Sequence, residues 1–176
     1  MKVSSRWLAL GMMVWMVGAF SIAPPTLAKD PKVRKTWRYS DIDIPVSLAE
    51  GTVRTPAFAV KPEAYFIYLQ AEKHLPFTDL VCMMAMAIGP CDGSKCPEEP
   101  ILQADWVVLD GDRIVARGRS PNAARGFFTD EHIFKNLGWF MGEANKTYTV
   151  DVTFTKDGTP LNVCNPHLIV ITVRNH

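Results

Sequence analysis

The stretch "CMMAMAIGPCDGSKC", residues 82–96, gathers three of the chain's four cysteines and three of its eight methionines. Cys82, Met83, Met84 and Met86 are soft donors of the type that holds Cu(I). Their spacing argues against one shared ion: on a helix Cys82 and Met86 share a face, while Met83 and Met84 turn away from it. No histidine is near in sequence, His74 being the closest upstream. Zinc sites and redox dithiols favour Cys-x-x-Cys, whereas Cys91 and Cys96 have four residues between them. Disulfides fit better, and neither a metal nor another cofactor is expected.

An even number of cysteines in an exported chain reads as a disulfide framework, and four cysteines allow three connectivities. Cys91 and Cys96 enclose the turn-forming Asp92-Gly93-Ser94-Lys95, so pairing them is easy and leaves Cys82 with Cys164. In the chain-entropy view the longer loop stabilises by about 4 kcal/mol and the short one by about 2. Cys82 with Cys91 and Cys96 with Cys164 is the rival arrangement.

Catalytic chemistry finds little support. The histidines are His74, His132, His167 and His176. His132 follows Asp130 and Glu131, but three consecutive residues at a helix start point in different directions and cannot converge on one ion. Gly-x-Ser-x-Gly, a phosphate loop, a dinucleotide fingerprint and His-Glu-x-x-His are all missing from the sequence. A hydrolase would have to assemble its site around His132 or His167 in three dimensions, so no catalytic residue is assigned.

A binding face is better supported. Arg113, Arg117 and Arg119 share one parity in "RIVARGR", so an extended strand would set them on a single face, with Arg125 a little further on. Such a row either keeps a sheet edge solvated or forms a basic stripe for an acidic protein, lipid headgroups or a glycan acid group. Trp37, Trp106 and Trp139 are either core residues or anchors for a partner.

The elements that carry these residues begin after a leader. Lys2 and Arg6 precede an apolar run from Trp7 to Ile22, and "APPTLA" ends on Ala28. That order of charge, apolar stretch and small-residue exit reads as a secretory signal peptide, residues 1–28. The run is short for a membrane span, two prolines follow it, and Lys29, not a lipid-accepting cysteine, stands directly after Ala28, so no stable membrane anchor is expected after cleavage. Cleavage leaves 148 residues, numbers 29–176, with 17 basic and 18 acidic side chains, because only Lys2 and Arg6 leave. That length suits one domain, and the near-neutral charge, like export itself, argues against nucleic acid as a partner.

Within the mature chain, "DIDIPVSL" (41–48) alternates as a strand whose Pro45 suits a sheet edge. Strands follow at 56–60 and 64–71, separated by the turn Lys61-Pro62-Glu63. Residues 104–118 form a hairpin about Asp110-Gly111-Asp112. Residues 146–155 alternate strictly, and 167–173 close the chain as a last strand. Helical spacing predicts one helix at 77–88, capped by Thr78 or Asp79, and a second at 129–138, begun by Thr129 and ended by Gly138. Strands at this spacing predict a mainly β fold, an antiparallel immunoglobulin-like β-sandwich with one or two short helices. Tyr148 is a candidate for the tyrosine-corner contact of such domains.

In "AYFIYLQAE", "GWFMGEANKTYTVDVTFTKDGTPL" and "NPHLIVITV" the chain resembles a group of uncharacterised exported immunoglobulin-like sandwich proteins of Gram-negative bacteria. Many of those carry a lipid-anchor cysteine after the leader, where this chain has Lys29. The resemblance implies a periplasmic or secreted protein without catalytic activity, which binds another protein and in some cases protects against toxins from neighbouring cells. A soft-metal chaperone and a hydrolase are the other readings.

Overall fold

Alternation of apolar residues builds most of this fold. A computed structural model describes residues 40–87 and 99–172, all within one compact unit, Thr36–His176. The leader, Trp37, Cys91, Cys96 and His176 lie outside the described residues.

The strands are β1 (Ser40–Pro45), β2 (Gly51–Arg54), β3 (Phe58–Val60), β4 (Ala64–Glu72), β5 (Met86–Ala87), β6 (Ala104–Asp110), β7 (Arg113–Arg119), β8 (Ala124–Phe128), β9 (His132–Met141), β10 (Lys146–Phe154) and β11 (His167–Thr172). One helix, α1 (Phe77–Met83), and a 3-10 helix, Thr159–Cys164, complete the described elements. The protein is thus mainly β, as the spacing predicts. A six-stranded sheet runs β1-β11-β4-β9-β8-β5, and a five-stranded sheet runs β2-β10-β6-β7 with β3 also on β10. All described pairs are antiparallel except β5 with β8. The inward residues Tyr65, Ile67, Leu69, Leu168 and Val170 of one sheet share a core with Trp106, Val108, Val150, Val152 and Phe154 of the other. This is a β-sandwich.

Several local expectations hold. Pro45 sits in the outermost strand of its sheet, where its missing N–H breaks no inner ladder. Gly111 turns the β6–β7 hairpin with φ +61°, a conformation that costs glycine little. A tyrosine hydroxyl does reach back to the main chain, but at Tyr65, which accepts from the Lys61 N–H at 2.9 Å. The Tyr148 hydroxyl is buried with no hydrogen-bond partner among the described residues, so Tyr148 makes no corner contact there.

The helices are corrected. The predicted helix at 129–138 is instead a turn and β9. Thr129 Oγ1 accepts from the His132 N–H at 3.1 Å, and the Thr129 N–H donates to the His132 carbonyl at 2.9 Å. The hydroxyl that would cap a helix closes a hairpin turn, a competition open to Ser and Thr side chains. β9 lies between β4 and β8, and Ile133, Phe134, Lys135 and Leu137 are buried from both faces, which erases the alternation. The helix predicted at 77–88 ends at Met83, since Ala85 takes φ +51° and the chain enters β5. Neither Thr78 nor Asp79 caps α1, whose chain enters at Pro76.

Candidate functional site

The arginine row is split by the β6–β7 ladder. Arg119 lies opposite Asp105 and Arg117 opposite Val107, on the outer face. Between Val108 and Leu109 the register shifts, so that Ile114 stands opposite Leu109 and Arg113 opposite Asp110. The extra residue, Val115, sets Ile114 on the face of Arg117 and Arg119 and turns Arg113 to the other side. A three-arginine face is therefore corrected to a pair, Arg117 and Arg119.

The three differ in ion pairing as well. Arg113 binds Asp110 at 2.9 Å, and Lys146 binds the same carboxylate at 2.9 Å. Those two hydrogen bonds, Lys146's first, hold Asp110 below the usual carboxylate range. Arg119 grips Asp105 through two bonds of 2.6 and 3.0 Å, which likewise lowers Asp105. Arg117 is exposed, and its cross-strand neighbour Val107 offers no carboxylate. Among the described residues Arg117 has no ion pair.

Arg117 and Arg119 line a cleft of about 580 Å³ with Trp106, Asn136, Trp139 and Met141, where the end strand of one sheet faces the second half of β9. Trp139 is 57 % and Met141 56 % exposed, while Phe140 between them points into the core. Trp106 forms part of the lining, its indole wedged between Gly118 and Gly138: a Cβ on either would come within 2.5 Å of the ring. Its Nε1 is buried without an acceptor among the described residues. Of the three tryptophans singled out by sequence, Trp106 is therefore mainly core and Trp139 surface. Met141 and Asn136 were not singled out. The alternation of "WFM" is the signal that would have found Met141, hidden because the residues before it read as helix.

The cysteines are placed differently from the favoured pairing. Cys82 is half of a disulfide, whereas Cys164 is a buried free thiol, so neither Cys82–Cys164 nor Cys96–Cys164 exists. Cys164 ends the 3-10 helix with its sulfur against the main-chain N–H groups of His74 and Leu75. Burial raises its pKa, which makes it a packing residue and a poor nucleophile. For the soft-metal set, Met84 and Met86 are fully buried and the Cys82 sulfur is committed to its disulfide.

The histidines are dispersed. His167 Nδ1 lies 2.7 Å from Asp43 Oδ1, and His74 Nε2 lies 3.0 Å from Glu72 Oε2. His132 is buried, 6.2 Å ring to ring from Phe134. Neither His132 nor His167 is hydrogen-bonded through its ring to a serine, threonine or cysteine side chain among the described residues. No group of three or more His, Cys, Asp or Glu side chains converges as a metal site among those residues, and no helix there is long and apolar enough to cross a membrane.

No protein-family model matches the chain, and no curated protein matches it. A solved structure of a protein from Sulfurospirillum deleyianum is similar with a TM-score of 0.54 at 8 % identity, covering 76 % of this chain and 98 % of that one. At that identity the likeness concerns fold alone.

Proposed function

We propose that the chain is an exported, non-catalytic protein-binding domain of the immunoglobulin-like kind it resembles. It meets an acidic partner at the cleft between β7 and β9. One observation carries this reading: Arg117, a cation with no counter-ion among the described residues, stands beside exposed Trp139 and Met141. Arg, Trp and Met are the residue types enriched where proteins bind one another. Charge pairing would steer the encounter, and the two large side chains would supply apolar contact. Occlusion of a toxin in the periplasm is the specific case that the resemblance favours.

The test is cross-linking of the full-length tagged protein in its native host, followed by mass spectrometry, alongside Arg117→Glu and Trp139→Ala. A stoichiometric acidic partner, recovered at least tenfold less with either variant, supports the reading. Recovery of the same partner at equal yield from both variants, or of no partner at all, defeats it.

A further inference from the structure

β7 ends the five-stranded sheet among the described strands. Its hydrogen-bond phase follows from its neighbours. The Ser120 N–H donates to the Ala104 carbonyl, and the register then makes Gly118 with Trp106, and Ala116 with Val108, the hydrogen-bonded pairs. Arg117 and Arg119 fall on the alternate positions, so their main-chain N–H and C=O groups point away from β6, toward the open edge. The β6–β10 ladder agrees: the Thr155 N–H donates to Gln103, which turns Asp105 and Val107 toward β10 and away from β7. The regular edge is short, bounded by the Val115 bulge and by Pro121, which has no N–H.

From this edge and its charges, and resting on the protein-binding reading above, we infer that the cleft takes an extended acidic segment of the partner as an added strand on β7. Two rows of side chains would result. Residues opposite Arg117 and Arg119 would stand on the outer face, and those opposite Ala116 and Gly118 would point between the sheets, toward the lining formed by Trp106, Leu137 and Phe140. Charge fixes where the acid belongs. Along one outer row Arg54 grips Asp151 through two 2.6 Å bonds, Val107 follows, and Arg117 ends the row without a carboxylate. Along the neighbouring row Arg119 already holds Asp105. An added strand therefore needs its acid opposite Arg117, with apolar residues on either side of it. The arginines that would repel a second copy of this edge select such a segment.

The probe is a capped hexapeptide alternating valine and glutamate, titrated into the full-length protein labelled with ¹⁵N. Binding should slow amide exchange of Arg117 and Arg119 at least tenfold and leave Ala116 and Gly118 unchanged. Arg117→Glu should weaken the peptide at least tenfold and favour a valine–lysine peptide instead. Two N-methylated versions separate strand addition from simple surface attraction. Methylation of all glutamate nitrogens and methylation of all valine nitrogens block opposite edges of the peptide, so one must abolish binding and the other spare it. Equal loss, equal retention, or no binding of the parent peptide overturns strand addition. If the cross-linked partner still depends on Arg117 after such a result, the protein-binding reading stands and only this mode of docking falls. If that dependence is also missing, both fall.

Discussion

Lys135 is the residue that departs furthest from what its type suggests. It faces the core on β9, opposite Leu69, and is fully buried. Its ammonium donates to the main-chain carbonyls of Met84 and Leu102, with no carboxylate bonded to it among the described residues. Burial pushes its pKa down to about 8 from the ordinary 10.5. Between those values the unfolded chain holds a proton that the folded chain has released, so stability should rise as pH goes from about 8 to about 10. Below pH 8 the folded state bears the whole cost of the buried charge, roughly 3 kcal/mol. Urea melts at pH 7 and at pH 9.5 should show that rise in the native sequence and not in Lys135→Met. A parallel rise in both would assign it to other groups. In the sequence Lys135 passes for the solvent side of a helix. Nothing local marks it as buried, because its acceptors come from segments about fifty and thirty positions away.

Elements were legible where one face meets the core and the other meets water. β4 and β10 alternate for that reason, and the β6–β7 hairpin carries its glycine at the turn. β9 was not legible, because a strand buried on both faces loses its period while Thr129 with Asp130 and Glu131 imitates a helix start. The bulge at Val115 exists only relative to β6, so the displacement of Arg113 could not be read from β7 alone. The cleft was half legible for a related reason. Its arginines sit in one short run, but Trp139 and Met141 arrive from the other sheet. Where β6, β7 and β9 meet, packing is set by absence of side chains. A methyl group on Gly138 would lie 2.3 Å from the Trp106 ring. Gly138→Ala should therefore cost about 1–3 kcal/mol in equilibrium unfolding. Trp106→Phe, which shortens the ring, should recover part of that loss. If the two costs simply add, the wedge is not what Gly138 protects.

At the scale of the whole molecule, the first and last described strands are neighbours. β1 pairs antiparallel with β11, Ser40 lying opposite Ile171 and Pro45 opposite His167. The described chain thus enters and leaves the sandwich at the same end of the same sheet. Pulled by those two ends, the pair would part like a zipper, one rung at a time, instead of resisting in shear. The domain should then be mechanically soft although its core is well packed. In an optical trap with handles at the chain ends, β1 should peel off before the remaining sandwich opens. Joining Cys-substituted Ile42 and Val170, which face each other across that pair, should remove the early step. An early step that survives the cross-link would place the weak point elsewhere. A domain of this geometry serves poorly as a link that carries tension between its ends, and well as a unit that grips from its side.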